Sequence, residues 1–310
     1  MRRTVIIDAP SNLGLRPPAP GQVPGCHGLA AALRARDLPR RIGAHDGGVV
    51  PAPAYDRGDW RPGDGVFHAE QLAAYTRQLA DRIGALLDGG DFPVVLGGDC
   101  AIQLGASLAL RRRGRFGLVA ADASADFRHL GNAPAVGAAA GEEVALATGR
   151  GQADLTDIDG LRPYLREEDI RYAGIRDGDE DIPELTSLGM GVVTVGALRE
   201  RGPAAVGTEL ARELGGGGRA GYWLHCDADV LDPAVMPAVD SPDPGGLAPA
   251  ELTDLLRPLL ADPGCVGLNV TIYDPDKDPE GTAGDTLADL LVAAFAPRGL
   301  RTFRDGRQRG

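Results

Sequence analysis

Short, almost uniformly apolar segments recur along the chain, and helix-forming segments separate most of them. Strand-like runs fall at Thr4–Ile7, in "FPVVLGG", at Phe116–Ala121, at 169–175, in "GVVTV", at Gly221–Cys226 and near 265–272. Between them, helical periodicity predicts helices over His27–Ala35, about 68–87, "AIQLGASLALRRR", Ala205–Leu214, Pro249–Leu260 and Thr286–Phe295. A strand with one wet face alternates apolar and polar residues, whereas one buried on both faces is apolar throughout. Apolar strands alternating with helices therefore predict a parallel sheet covered on both faces, an α/β fold built as a three-layer α/β/α sandwich. No linker or break in composition interrupts the pattern, so residues 1–300 are expected to form one domain followed by a polar, basic tail at 301–310. Residues 45–65, rich in Gly, Pro and Asp, are expected to be irregular. The Pro- and Gly-rich stretch "APSNLGLRPPAPGQVPG" is longer than an ordinary connector and fits an active-site rim.

Composition narrows the function. Forty-four acidic against 32 basic residues give a net charge of −12, which disfavours nucleic acid and anionic membrane surfaces as partners. No apolar stretch approaches the roughly 20 residues of a membrane span. The N-terminus lacks a signal peptide's apolar region, which predicts a cytoplasmic protein. The four cysteines are widely spaced and form no CxxC pair, so neither a disulfide framework nor a thiolate zinc site is expected.

The chemistry-bearing residues cluster at predicted strand ends. Asp122 and Asp126 follow one strand, Asp227 and Asp229 another, and Asp99 and Cys100 follow the two glycines of "FPVVLGGDC". Ligands of open α/β sheets bind beyond the carboxyl ends of the strands. Acids buried there are costly unless they are paired, hydrogen-bonded or metal-bound, and an oxygen-rich set suits Mn²⁺ or Mg²⁺. Strand periodicity puts His225 on the face of Asp227 and Asp229, as a nitrogen ligand or proton-transfer group.

"GGDC" (97–100), "DASAD" (122–126) and "HCDADVLDP" (225–233) resemble the GGDH, DAHxD and SxDxDxxDP motifs of the ureohydrolase superfamily, which includes arginases, agmatinases and formiminoglutamases. Further segments match in order over nearly the whole chain, among them "YAGIRDGDEDI" and "GLNVTIYDPDKD". The resemblance implies a sheet of eight mostly parallel strands, a dimanganese site and a trimer or hexamer. It assigns the metal to Asp122, Asp126, Asp227 and Asp229, with Cys100 and Ser124 standing where the family has histidines. Cys100 also opens the site to Zn²⁺ or Fe²⁺.

The implied reaction is hydrolysis of a C–N bond in a guanidine or amidine by attack of metal-bound hydroxide, with Asp229 taking its proton and His225 serving the leaving amine. Asp179 matches an aspartate that receives a substrate amino group. Ile272 stands where the family grips the guanidinium with a glutamate, and Asp240 is an added acid that can replace it. "LGNAPA" is the nearest match to the family's SGNxHG segment, making Asn132 a substrate-binding candidate and placing Pro134 at the shuttle histidine. These departures point to a modified, amino-acid-like cationic substrate such as a hydroxyguanidine. The alternative is a non-catalytic chain that keeps the fold for partner binding or assembly.

Overall fold

The computed structural model describes residues 2–296, so the tail at 301–310 lies outside the described residues. Eight strands form one sheet: β1 (Thr4–Asp8), β2 (His45–Val49), β3 (Phe92–Leu96), β4 (Gly117–Ala121), β5 (Ile170–Ile175), β6 (Gly191–Thr194), β7 (Tyr222–Asp227) and β8 (Cys265–Thr271). Their order is β2-β1-β3-β8-β7-β4-β5-β6. Every neighbouring pair is parallel. All carboxyl ends therefore open on the same side, and the chemistry-bearing loops after β3, β7 and β4 become neighbours although they are far apart in sequence.

Strand alternation sends successive side chains to opposite layers. Ile6, Val94, Val119, Leu224 and Leu268 pack in one layer with the helices Leu29–Ala35, Pro203–Leu214, Pro249–Ala261 and Thr282–Phe295. Val5, Val95, Leu118, Tyr172 and Trp223 face the other, against Ala69–Asp88 and Gln103–Arg111. This is the predicted three-layer sandwich. Among the described residues no helix is long and apolar enough to cross a membrane.

One strand escaped prediction. β2, "HDGGV", lies within the stretch expected to be irregular, and all five residues are exposed or partly exposed. As an edge strand with β1 as its partner it carries no apolar run, so its pairing is set by register rather than by sequence pattern. A short helix, Glu143–Ala147, also forms in the Gly- and Ala-rich stretch that follows β4.

Register sets the site. Ala121 lies opposite Cys226, and Cys226 opposite Val270. One residue further on, Asp122 leaves β4 beside Asp227, and Asp227 pairs with Thr271. Gly98 turns the chain after β3 in direct contact with the loop after β1. An ideal Cβ at Gly98 would lie 1.6 Å from the Ser11 carbonyl oxygen. Gly98→Ala should therefore cost about 1–3 kcal/mol or more, measured by urea unfolding of the purified protein. A variant as stable as the parent would show that the two loops are not packed as described.

Candidate metal centre and active-site cavity

Two buried polar groups, neither a candidate ligand, hold the loops in place. The Asp99 carboxylate accepts from the Gly14 and Ala101 amides and the Ser11 hydroxyl at 3.1, 2.8 and 3.1 Å, fixing the turn that presents Cys100. The Arg176 guanidinium donates to the carbonyls of Asp229, Val230 and Leu231 at 2.9, 3.2 and 3.4 Å. It thereby pins the 3₁₀ turn Ala228–Val230 that carries Asp229.

Around this frame Asp122, Asp126 and Asp227 bring carboxylate oxygens within 4.8 Å of one another. Asp227 Oδ1 accepts from the Asp229 amide at 2.8 Å, and Oδ2 from the Cys100 thiol at 2.6 Å. Asp122 Oδ1 accepts from the Ser124 amide at 2.9 Å, and the Ser124 hydroxyl donates to Asp126 Oδ1 at 2.9 Å. Asp126 occupies the left-handed region with φ 43°, a conformation Asp tolerates, and the turn aims its carboxylate back at Asp122. Burial, followed by the charges of Asp122 and Asp229, pushes Asp126 well above the usual carboxylate range. Burial and Asp229 do the same to Asp227. Burial and Asp122 do it to Asp229. Cys100 rises by burial and its contact with Asp227.

Such crowding, with no neutralising cation among the described residues, fits a divalent metal. The donors are mainly oxygen, with one thiol from Cys100, so the set suits a hard or borderline ion such as Mn²⁺, Zn²⁺ or Fe²⁺.

A cavity of about 550 Å³ opens above these acids. Ser124, Asp126, Asp227 and Asp229 form its floor, and Asp179, Asp240 and Ile272 line its walls. Asp179 is raised by burial and nearby acids, and Asp240 by desolvation within the cavity. The loop after β1 contributes Leu15, Arg16, Pro17, Pro18, Pro24 and Cys26, the rim expected of it. Ile272, with φ 73°, is strained for a β-branched residue, and its amide donates to the Gly98 carbonyl at 2.7 Å. Strain at this position holds an aliphatic wall where the family pattern has a carboxylate.

Two candidates do not line the cavity. His225 is buried beneath the acids and does not line the cavity. Trp223 Nε1 donates to Asn269 Oδ1 at 2.6 Å, which leaves the Asn269 amide to donate to His225 Nδ1 at 2.6 Å. The ring proton of a neutral His225 therefore sits on Nε2, 3.6 Å from Asp122 Oδ2, where it cannot serve a leaving amine in the cavity. Asn132 is also displaced. It binds the Phe127 carbonyl, Glu184 and the His129 amide on a surface loop, outside the cavity wall. Ala138, Ala140 and Gly141 supply that wall instead, because the chain runs on past Pro134 before turning inward.

Sequence reasoning also missed Glu143. It is 1% exposed at the start of the short helix Glu143–Ala147, and its carboxyl lies within 4.8 Å of ligand atoms of Asp122 and His225. No motif marks it, and only the fold brings it to the other acids.

A model of the arginase family matches residues 3–296. The arginase of Brevibacillus brevis is 30% identical over 234 residues, 74% of this chain and 78% of that protein. The formimidoylglutamase of Aeromonas salmonicida is 26% identical over 256 residues, 81% and 76% of the two chains. The crystal structure of arginase from Bacillus caldovelox covers 97% of this chain and 100% of its own, with a TM-score of 0.86 at 24% identity. The family match and the clustered ligands define a hydrolase of the ureohydrolase type with a metal-binding set of side chains. The chain belongs to the arginase family.

Because the folded-state values of these acids exceed their unfolded values, the metal-free fold holds extra protons. Its stability from this source is complete below the unfolded values, about pH 4, and is lost as pH rises from there through the raised folded-state values. Asp126 faces Asp122, Asp229 and the Ser124 hydroxyl, so replacing its charge removes much of this effect. In chelator, Asp126→Asn should therefore gain stability relative to the parent as pH rises from about 4 to 7. Thermal unfolding across that range measures the difference, and a pH-independent difference would contradict the crowding.

Proposed function

We propose that the protein hydrolyses a C–N bond in the guanidine or amidine group of a small amino-acid-like molecule, with a hydroxyguanidine preferred over an unmodified guanidine. The observation that carries this reading is a cavity with ligand-type acids on its floor and, on its walls, cation-binding acids but no carboxylate at Ile272. Asp122, Asp126, Asp227 and Asp229, with Cys100 and Ser124 at the two replaced positions, would hold the metal pair. Divalent ions at such a site act as Lewis acids and make water a nucleophile near neutral pH.

The residues of the chain divide the remaining work. Asp229 stands on the cavity floor, held by the Arg176-pinned turn and by an Ala123 amide at 3.3 Å, and is positioned to take the proton from attacking water. Water adds to the central carbon, the bond to the amine-bearing arm breaks, and that arm leaves as the amine carrying the proton that Asp229 took from the water. Asp179 supports binding of a substrate amino group. At the mouth Arg16 and Arg128 are exposed and, among the described residues, have no ion-pair partner within 4.0 Å, which suits a carboxylate. Asp240 supplies a second anionic contact for the cationic end. An aliphatic Ile272 wall gives a full guanidinium charge no partner, and the electron-withdrawing hydroxyl of a hydroxyguanidine reduces that charge.

A urea- and amine-release screen of metal-loaded protein over arginine, hydroxyarginine, agmatine, guanidino acids and formimino compounds tests the reading. Hydroxyarginine should outrank arginine. Arginine turning over best would overturn the role given to Ile272, and no turnover of any candidate would favour the non-catalytic alternative. Arg128→Ala should raise KM for the best carboxylate-bearing substrate about tenfold with kcat nearly unchanged, because the contact is the same in ground and transition states. An unchanged KM would remove Arg128 from the substrate site.

A further inference from the structure

Glu143 is a fully buried glutamate, and the described structure gives it no cation to pair with. Glutamates are almost never buried this completely without a partner, because removing an unpaired charge from water is costly. Its Oε2 has no hydrogen-bond partner, and His225 Nε2 nearby has none either. The ligand atoms of Asp122, Glu143 and His225 lie within 4.8 Å of one another, as do those of Cys100, His225 and Asp227 and those of Asp122, Asp126 and Asp227. Two orphaned polar atoms therefore border the same group of acids, closer than charges tolerate and farther than hydrogen bonds reach.

His225 does not supply a metal lone pair in this arrangement. For Nε2 to ligate, the ring proton would have to move to Nδ1, which faces the Asn269 amide at 2.6 Å. Turning that amide to accept it would leave Trp223 Nε1 facing an NH₂ group instead of the oxygen now 2.6 Å away. Trp223 and Asn269 thus lock His225 as an N–H donor toward the acids.

We infer that Glu143 is a metal-binding carboxylate particular to this chain, entering the inner position beside Cys100, Asp122, Asp126 and Asp227, where the family's histidine is absent. The inference rests on the metal-centre reading above. Replacing a neutral nitrogen by a thiol changes the donor count little but softens it, and an added carboxylate supplies charge that the thiol lacks while protonated. The inner ion would then be held by four carboxylates and one sulfur, with the His225 N–H turned toward the ligands rather than contributing a lone pair.

Calorimetric titration of the full chain with Mn²⁺ and with Zn²⁺, with thermal unfolding in chelator and in saturating metal, tests this in the parent and in Glu143→Gln. The amide keeps the volume and removes the charge. The inner ion should bind at least about tenfold more weakly in the variant, while the metal-free variant is as stable as the parent or more so. Glu143→Met, an apolar replacement of similar length, should show the same pattern and keeps the test open if the amide variant does not fold. Parent-like affinity in a folded variant would overturn the inference and leave the aspartate site standing. Loss of metal-free stability with unchanged affinity would also overturn it, assigning Glu143 to the core. A parent protein that binds neither ion would instead remove the metal-centre reading itself.

Discussion

Negative charge buried with no compensating cation among the described residues is the constraint on which the rest of the molecule depends. Asp122, Asp227, Asp229 and Glu143 are buried together beside the partly exposed Asp126, and the nearest imidazole, His225, accepts from the Asn269 amide at Nδ1. Arginines abound on the surface, where they pair with exposed acids such as Asp81, Asp88 and Asp159. The one buried near this site, Arg176, turns its guanidinium to backbone carbonyls instead of to the acids. A fold that spends a buried arginine on orienting a ligand-bearing turn leaves no cation among the described residues to balance its central charge.

The parallel sheet makes that arrangement possible. β3, β8, β7 and β4 lie side by side at its centre, so turns from distant parts of the sequence meet at one edge. Each turn is fixed by groups that bind no ligand: Asp99 ties the loop after β1 to the turn after β3, Arg176 clamps the turn after β7, and the Ile272 amide joins the end of β8 to Gly98. Rigidity of this kind matters in a site of like charges, because it prevents the carboxylates from relaxing apart when no cation is bound. It also keeps Ile272 strained in the cavity wall, a cost carried by the packing around it.

The sandwich was legible because seven of its strands are written as apolar runs, and pairing with helices leaves such runs few alternatives. β2 was not, since an exposed edge strand of "HDGGV" has neither apolar alternation nor a second neighbour to require it. At the site, the four aspartates were legible from spacing alone, because strand ends present them together. What surrounds them was not. His225 was placed on the right face, but its function turns on an amide and an indole, Asn269 and Trp223, whose contact is tertiary. Asn132 matched a sequence pattern, yet the chain carries it to the surface and brings Ala140 to the wall. Glu143 sits in a Gly- and Ala-rich stretch that carries no motif.

Anomalous diffraction from crystals grown with Mn²⁺ is the most direct test of the central claim. The account predicts two peaks at the carboxyl edge of the sheet, both within coordination distance of Asp122 and Asp227. One lies on the Asp126 side and the other on the Asp229 side. Crystals of folded protein with no anomalous density between these aspartates, or with density only at the surface, would contradict it.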